Sequence, residues 1–384
     1  MEFEFLTPIN VDLLIDIKQL LSQHLANKVV FHTHDEFPDL NKVKIAILGV
    51  LENRGGDFIE EQPDLYHVRA ELYNLFPGNW HHTIADLGDI KQGNSIEDTY
   101  FAIQKVVNSL LKKNIVPIVI GGSQDLTYPL YRSYDTLEQM VNIVAIDSKF
   151  DLGRGENQSL ANSYLSKIII DEPNNLFNFS NIGFQTYYNS QEEIDLVEKL
   201  YFDAYRLGEV TANVAISEPI FRDADFVTID VNSIKSSDSG SFSTFVPNGF
   251  SGKEICALAR YSGISDKVSL FGIFNQNYSK NESVLLAQMI WYFIEGYHFR
   301  SKEYPFGSNK NYLRYIVSFE DDEDLIFYKS DKTDRWWIEI PQLLNNEGKF
   351  KKHTLLPCSH EDYLAACNNE IPERYWKAQR KNIL

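Results

Sequence analysis

Two aspartates four residues apart, with a lysine midway between them, follow an unbroken apolar run: Ile143-Val144-Ala145-Ile146, then Asp147-Ser148-Lys149-Phe150-Asp151. Carboxylates placed where a buried strand ends are costly unless something pairs them. Oxygen donors grouped in this way suit a divalent cation. A second stretch has the same form, Asp225-Phe226-Val227-Thr228-Ile229-Asp230-Val231-Asn232. A third apolar run, Ile115 to Ile120, enters Gly121-Gly122-Ser123-Gln124-Asp125. In open α/β sheets ligands sit at the carboxyl ends of strands. The three strand ends therefore read as one site, with Asp147, Asp151 and Asp230 as its candidate chemical groups.

The elements that must position these residues alternate along the chain. Val11 to His24 reads as a first helix, Lys44 to Val50 as a strand, Pro63 to Phe76 as a helix and Thr83 to Ile90 as a strand. Ser95 is a good N-cap with Asp98 three residues on, and an amphipathic helix follows to Lys113. After the strand at 115–120 come a helical segment, Leu126 to Tyr134, and the strand at 143–146. Ser163 to Ile170 fits helix or strand. Asn181 to Phe184 and the 225–232 stretch read as strands, and Gln191 to Leu200 and Asn213 to Phe221 as helices. A loop from Ser236 to Ser251, a helix from Lys253 to Tyr261, a strand from Val268 to Phe274 and an apolar helix from Glu282 to Phe299 complete the run. Strands alternating with helices predict a three-layer α/β/α fold around a mostly parallel, doubly wound sheet.

From Ser301 the composition changes. Tyr312 to Phe319, Leu325 to Tyr328 and Arg335 to Ile340 predict an antiparallel β appendage, with a short helix at Ser359 to Cys367 and an aromatic tail at Ile371 to Trp376. The expected organisation is an α/β domain over 1–300 and a C-terminal extension over 301–384 packed on it. No linker or repeat stands out.

The chain has 384 residues, 43% hydrophobic and 13% aromatic, enough for a large core. A formal net charge of -18 argues against nucleic acid and anionic membranes as partners. No apolar run reaches transmembrane length, and Met1-Glu2-Phe3-Glu4-Phe5 lacks a signal-peptide pattern. Cys256, Cys358 and Cys367 form no Cys-x-x-Cys pair, which suits a reducing cytoplasm and offers no zinc cage.

The three strand ends resemble the motifs of the arginase/agmatinase/formimidoylglutamase (ureohydrolase) superfamily. Its Gly-Gly-Asp-His-Ser corresponds to Gly121-Gly122-Ser123-Gln124-Asp125, and its Asp-Ala-His-x-Asp to Asp147-Ser148-Lys149-Phe150-Asp151. Its Ser-Phe-Asp-x-Asp-x-x-Asp-Pro corresponds to the stretch from Thr228 to Lys235. Asp86-Leu87-Gly88-Asp89 is similar to the family's Asp-x-Gly-Asp. Ser239 to Glu254 resembles the loop that ends in Pro-Gly-Gly-Leu-Ser. The resemblance covers roughly residues 40–300, lies closest to formimidoylglutamases, and implies an arginase-like fold, a homo-oligomer and a small amidine or amino-acid ligand. It also implies two manganese ions held by two histidines and four aspartates, at positions carried by Gln124, Asp147, Lys149, Asp151, Asp230 and Asn232. Of these, Asp147, Asp151 and Asp230 keep the family residue. The family's catalytic glutamate, expected after the 268–274 strand, meets Asn275-Gln276.

These departures have a chemical meaning. A protonated lysine has donors and no lone pair, so it ligates no metal, and neighbouring aspartates favour the ammonium. Lys149 is expected to lie near the second metal position as a tethered counter-ion for Asp147, Asp230 or both. Hydrolysis through a bridging hydroxide needs two ions that this donor set serves poorly. The expected protein is a cytoplasmic ureohydrolase-fold binding, scaffold or regulatory protein that takes a small ligand or a protein partner and needs no cofactor. The alternative is a hydrolase of formimino or guanidino C–N bonds using one divalent cation, Mn²⁺ or Mg²⁺, or none. Elsewhere, the Glu52–Asp57 stretch is consistent with a substrate-facing loop but reads first as a plain solvated one, and His32 with His34, His81 with His82 and the Glu320–Asp324 run read as solvated loops and turns. One of Trp336 and Trp337 is expected to face the core.

Overall fold

The computed structural model describes residues 3–57, 63–137, 139–153, 159–241, 245–303, 311–319, 323–340 and 355–381. The expectations at 154–158, at 320–322 and for part of the 236–251 loop (242–244) lie outside the described residues.

The main sheet comprises β1 (Leu6–Thr7), β2 (Val29–Phe31), β3 (Val43–Val50), β4 (Thr83–Ile90), β5 (Val116–Gly121), β6 (Val141–Ile146), β7 (Leu176–Phe184), β8 (Asp203–Arg206), β9 (Phe226–Asp230) and β10 (Leu270–Phe274). Its order is β1-β4-β3-β5-β10-β9-β6-β7-β8, with β2 also on β4; all pairings are parallel except β1 with β4. The central strands are buried on both faces, as their continuous apolar runs require. Alternate residues feed two cores. Ile118, Val144, Ile229 and Ile273 pack with the helices Tyr66–Tyr73, Gly252–Ile264 and Lys280–His298. Val119, Ala145, Phe226 and Phe274 pack with the helices Ile96–Lys112, Thr127–Arg132 and Tyr164–Ile170. The architecture is therefore α/β/α in three layers, as the alternation predicts.

Local chemistry fixes the helix starts. Ser95 with Asp98, Ser190 with Glu193 and Ser251 with Glu254 form reciprocal capping boxes. The first helix differs from expectation: it spans Val11–Ile17 and does not reach His24. Leu13 and Ile17 bury; beyond them the chain turns, and Leu25 and Ala26 re-enter the core from a 3-10 turn. His32 is not solvated either. It lies buried after β2, its Nδ1 2.9 Å from the Leu87 carbonyl oxygen.

The C-terminal part forms a separate antiparallel sheet, β11 (Tyr312–Val317), β12 (Leu325–Ser330), β13 (Trp336–Glu339) and β14 (Leu355–Cys358). It carries its own apolar cluster, including Phe327, Ile338 and Tyr375. The Ile371–Trp376 tail leads in fact into a helix, Glu373–Lys381, whose basic residues obscure its apolar side in the sequence. Trp336 and Trp337 are both buried. This part meets the α/β core at the amino ends of its strands, away from the carboxyl ends of β6 and β9. Arg222 donates to the carbonyls of Trp336 (3.0 Å) and Cys358 (2.8 Å), pairs with Glu218 at 3.0 Å and lies under the Trp337 ring. Arg335 reaches Glu218 at 3.1 Å, and Lys377 reaches Asp203 at 3.5 Å. Arg222→Met leaves two carbonyls without their charged donor, an expected loss of roughly 2–3 kcal/mol. Limited proteolysis should then cut the 301–384 part faster while the α/β core stays protected. An unchanged cleavage pattern would count against Arg222 as the clasp. Among the described residues no helix is long and apolar enough to cross a membrane.

Candidate functional site

Register brings the three strand ends together. Ile146 of β6 pairs with Ile229 of β9, so Asp147 and Asp230 stand side by side. Asp230 pairs with Phe274 of β10, which puts Asn275 next to it. Ile273 pairs with Ile120 of β5, and the chain turns there through Gly121 and Gly122 into Gln124. A Cβ on Gly122 would lie 1.7 Å from the Glu52 carbonyl oxygen, so only glycine lets the loop after β3 close over this turn.

Asp147, Asp151, Asp230 and Gln124 are all buried; Lys149 and Asn232 are partly exposed. Asp147 and Asp230 each take an Asx turn at the strand end. Asp147 Oδ1 accepts from the Lys149 backbone N–H at 2.9 Å, and Asp230 Oδ1 accepts from that of Asn232 at 2.7 Å. Asp151 has a φ of 53°, a left-handed conformation that aspartate tolerates and that returns its carboxyl toward Asp147. The charge of Asp151 acts on the neighbouring Asp147. Asn275, at a φ of 58°, joins two strand ends: its Nδ2 donates to Asp230 Oδ2 at 2.8 Å, and its Oδ1 accepts from the Gln124 backbone N–H at 3.0 Å. Gln124 Nε2 donates to Thr228 Oγ1 at 3.1 Å.

Lys149 departs from expectation. Asp147 binds its backbone amide, and its Nζ donates to Asn162 Oδ1 at 3.3 Å from within the cleft. Among the described residues it makes no ion pair with Asp147 or Asp230. Its charge acts at longer range and eases the ionisation of Asp151, Asp230 and Asp57. Asn162 in turn donates to Asp57 Oδ2 at 2.8 Å. The Glu52–Asp57 stretch is thus no plain solvated loop. Glu52 is fully buried between Arg54 and Thr99, while Asn53 and Asp57 face the cleft. That cleft, about 220 Å³, is lined by amides: Asn53, Asn162, Asn232, Asn275, Gln276 and Asn277. Three further residues at or beside the site, Asp57, Asn162 and Glu282, carry no signal in the sequence that marks them out. Glu282 follows Ser279 in the N-cap spacing, which masks a second role. It is buried and accepts from the Asn277 backbone N–H at 2.7 Å.

Burial pushes the three carboxyls up. Asp147 is raised well above the usual range by desolvation, then by the charges of Asp151 and Asp230. Desolvation and the Asp230 charge raise Asp151 to about 7, and desolvation raises Asp230 to about 6. A carboxyl whose pKa is higher folded than unfolded favours folding below its unfolded value near 3.8, and that benefit is lost as pH rises through 6 to 7. Asp151→Asn should therefore stabilise the chain by roughly 1–3 kcal/mol near pH 8 and change little near pH 4. Urea titrations at the two pH values decide; equal effects at both would mean that Asp151 does not carry this strain.

The sequence profile described as the arginase family matches residues 54–291. The chain belongs to the arginase family. A formimidoylglutamase from Geobacillus sp. is 27% identical over 229 residues, covering 56% of this chain and 68% of the relative. One from Streptococcus gordonii is 30% identical over 210 residues, covering 48% and 60%. Among solved structures, the Trypanosoma cruzi formiminoglutamase with Mn²⁺ superposes with a TM-score of 0.60 at 18% identity, covering 69% of this chain and 97% of that one. The formimidoylglutamase of Bacillus subtilis gives 0.59 at 16% identity, covering 69% and 90%. The formimidoylglutamase-like resemblance and the α/β fold both stand.

The arginase-family pair of manganese ions can be tested against the donors present. At the first position, which the resemblance gives to Gln124, Asp147, Asp151 and Asp230, Asp147 Oδ2 and Gln124 Oε1 are buried oxygens without a hydrogen-bond partner among the described residues. They suit one hard cation. At the second position the donors fail. Asn232 is a neutral amide and Lys149 has no lone pair to give, which leaves only Asp147 and Asp230, the latter holding one hydrogen bond on each oxygen. Among the described residues no three His, Cys, Asp or Glu side chains are grouped as ligands of one ion. The donor set does not fit the two-ion centre.

Proposed function

We propose that this arginase-family chain uses its strand-end cleft to bind a small amino-acid or amidine ligand without two-manganese hydrolysis, as a binding or regulatory protein. The observation that carries the reading is Asn275. Where the resemblance expects a catalytic glutamate, a neutral amide ties Asp230 to the Gln124 turn and offers no carboxylate to move a proton. The cleft supports the ligand class: its amide rim offers donors and acceptors together, and Lys149 supplies one positive charge for a carboxylate. The relatives bear the name formimidoylglutamase, which points to an amidine-bearing amino acid. The resemblance also supports assembly with further copies of the chain, and the low cysteine count supports a cytoplasmic setting.

The test pairs elemental analysis of the purified chain with an activity screen over N-formimino-glutamate and guanidino compounds, with and without Mn²⁺. The expected result is far less than one tightly held metal per chain and no release of formamide or urea. Two manganese ions per chain with turnover would sink the reading. The unpartnered Asp147 Oδ2 and Gln124 Oε1 favour one alternative, a C–N hydrolase that binds a single Mn²⁺ or Mg²⁺. Turnover that saturates at one equivalent of metal would select it.

A further inference from the structure

Between the helices Ile96–Lys112 and Tyr164–Ile170 lies a second cavity, about 340 Å³, that shares no lining residue with the strand-end cleft. Its floor is Asp125, which is 1% exposed. The Tyr100 hydroxyl donates to Asp125 Oδ2, while Oδ1 has no hydrogen-bond partner among the described residues. No lysine or arginine among the described residues forms an ion pair with it. The Lys167 amine at the rim is committed to Asp171 at 3.0 Å and sits 4.7 Å above the Tyr128 ring. The walls are the rings of Tyr100, Phe101 and Tyr128, and Glu97 stands at the exposed edge.

A buried carboxylate without a cation is costly, and its open lone pair needs a donor. Aromatic faces around it attract positive charge and cover methylene groups. Asp125 also departs from the Gly-Gly-Asp-His-Ser pattern, in which a neutral serine takes its place. We propose that this cavity is a second binding site, for a small organic cation with N–H donors such as a primary alkylammonium, seated on Asp125. The ammonium donates to Oδ1, and the alkyl stem lies against the Tyr100, Phe101 and Tyr128 rings. The proposal stands apart from whatever occupies the strand-end cleft.

The test is titration of the full chain with butylammonium chloride, followed by calorimetry or ligand-observed NMR. One saturable site per chain is expected, with tetramethylammonium and neutral butanol weaker by about tenfold or more, the weight of a charge-assisted hydrogen bond. Asp125→Asn should weaken butylammonium by about tenfold, and Phe101→Ala or Glu97→Gln by several-fold. Asp230→Asn in the other cleft should leave it unchanged. No saturable binding, equal binding by Asp125→Asn, or loss of binding with Asp230→Asn would each overturn the proposal. Should Asp125→Asn fail to fold, the surface variants decide: unchanged affinity in both Phe101→Ala and Glu97→Gln overturns it.

Discussion

Replacing Arg69 with methionine is expected to lower the unfolding free energy by about 3–5 kcal/mol, because it strands the buried Asp86 carboxylate and the partly buried Asp89. The Arg69 guanidinium binds Asp86 through Nε (2.8 Å) and Nη2 (3.1 Å), reaches Asp89 Oδ1 through Nη1 (2.7 Å), and donates to the Gly88 carbonyl at 3.0 Å. Asp86 also accepts from the Gly88 backbone N–H and the Tyr73 hydroxyl. Gly88 has a φ of 80°, and a Cβ there would lie 1.9 Å from the Thr7 carbonyl oxygen. The Asp-x-Gly-Asp turn is thus a closed structural knot: one arginine serves two acids and a carbonyl. Arg69→Lys should recover little, since a lysine amine cannot reproduce the planar fork. Adding Asp86→Asn and Asp89→Asn to Arg69→Met should restore part of the loss by removing the unpaired charges. Urea unfolding of the four proteins measures this. A loss below about 1 kcal/mol for Arg69→Met would mean that water or another donor reaches the acids.

This knot also shows where the sequence is legible. Asp86 and Asp89 are visible as a motif, but Arg69 sits on a helix whose outline gives no sign that its arginine points inward. The same holds at the site. The strand ends are legible because apolar runs that stop in charges are rare, and because register then fixes which ends meet. Asp147 beside Asp230 follows from β6 and β9 being neighbours. The path of Lys149 is not legible. It depends on Asn162, whose Oδ1 accepts from Nζ, so that the lysine acts on Asp151 and Asp230 across the cleft and not in an ion pair. Asn275 reads as a missing acid, yet its role as a clamp needs the left-handed backbone that only coordinates reveal. The small C-terminal sheet is legible as a hairpin or meander. Its last strand, β14, is not, because Leu355 to Cys358 is short and contains a proline.

The largest gain is expected from restoring the ligand set. Gln124→His, Lys149→His and Asn232→Asp together should give the chain manganese affinity at least about 100-fold above its own, since even outer-sphere changes at metal sites alter affinity by 10–100-fold. Each change acts at a position whose geometry is in place. Gln124 is buried beside the Asp147 cluster, so an imidazole there faces an oxygen that now lacks a partner. Asn232 holds its backbone bond to Asp230, so an aspartate inherits the same turn. Lys149→His exchanges a side chain that leads toward Asn162 for a shorter one with a lone pair. The triple variant still leaves Asp230 Oδ2 occupied by Asn275. A fourth change, Asn275→Gly, keeps the left-handed backbone and frees that oxygen, so it should raise the affinity again and bring the second ion. Equilibrium dialysis with Mn²⁺ reads both steps. If the triple variant binds no more metal than the starting chain, the ligand assignment is wrong. If the fourth change adds nothing, Asn275 is a bystander to metal binding.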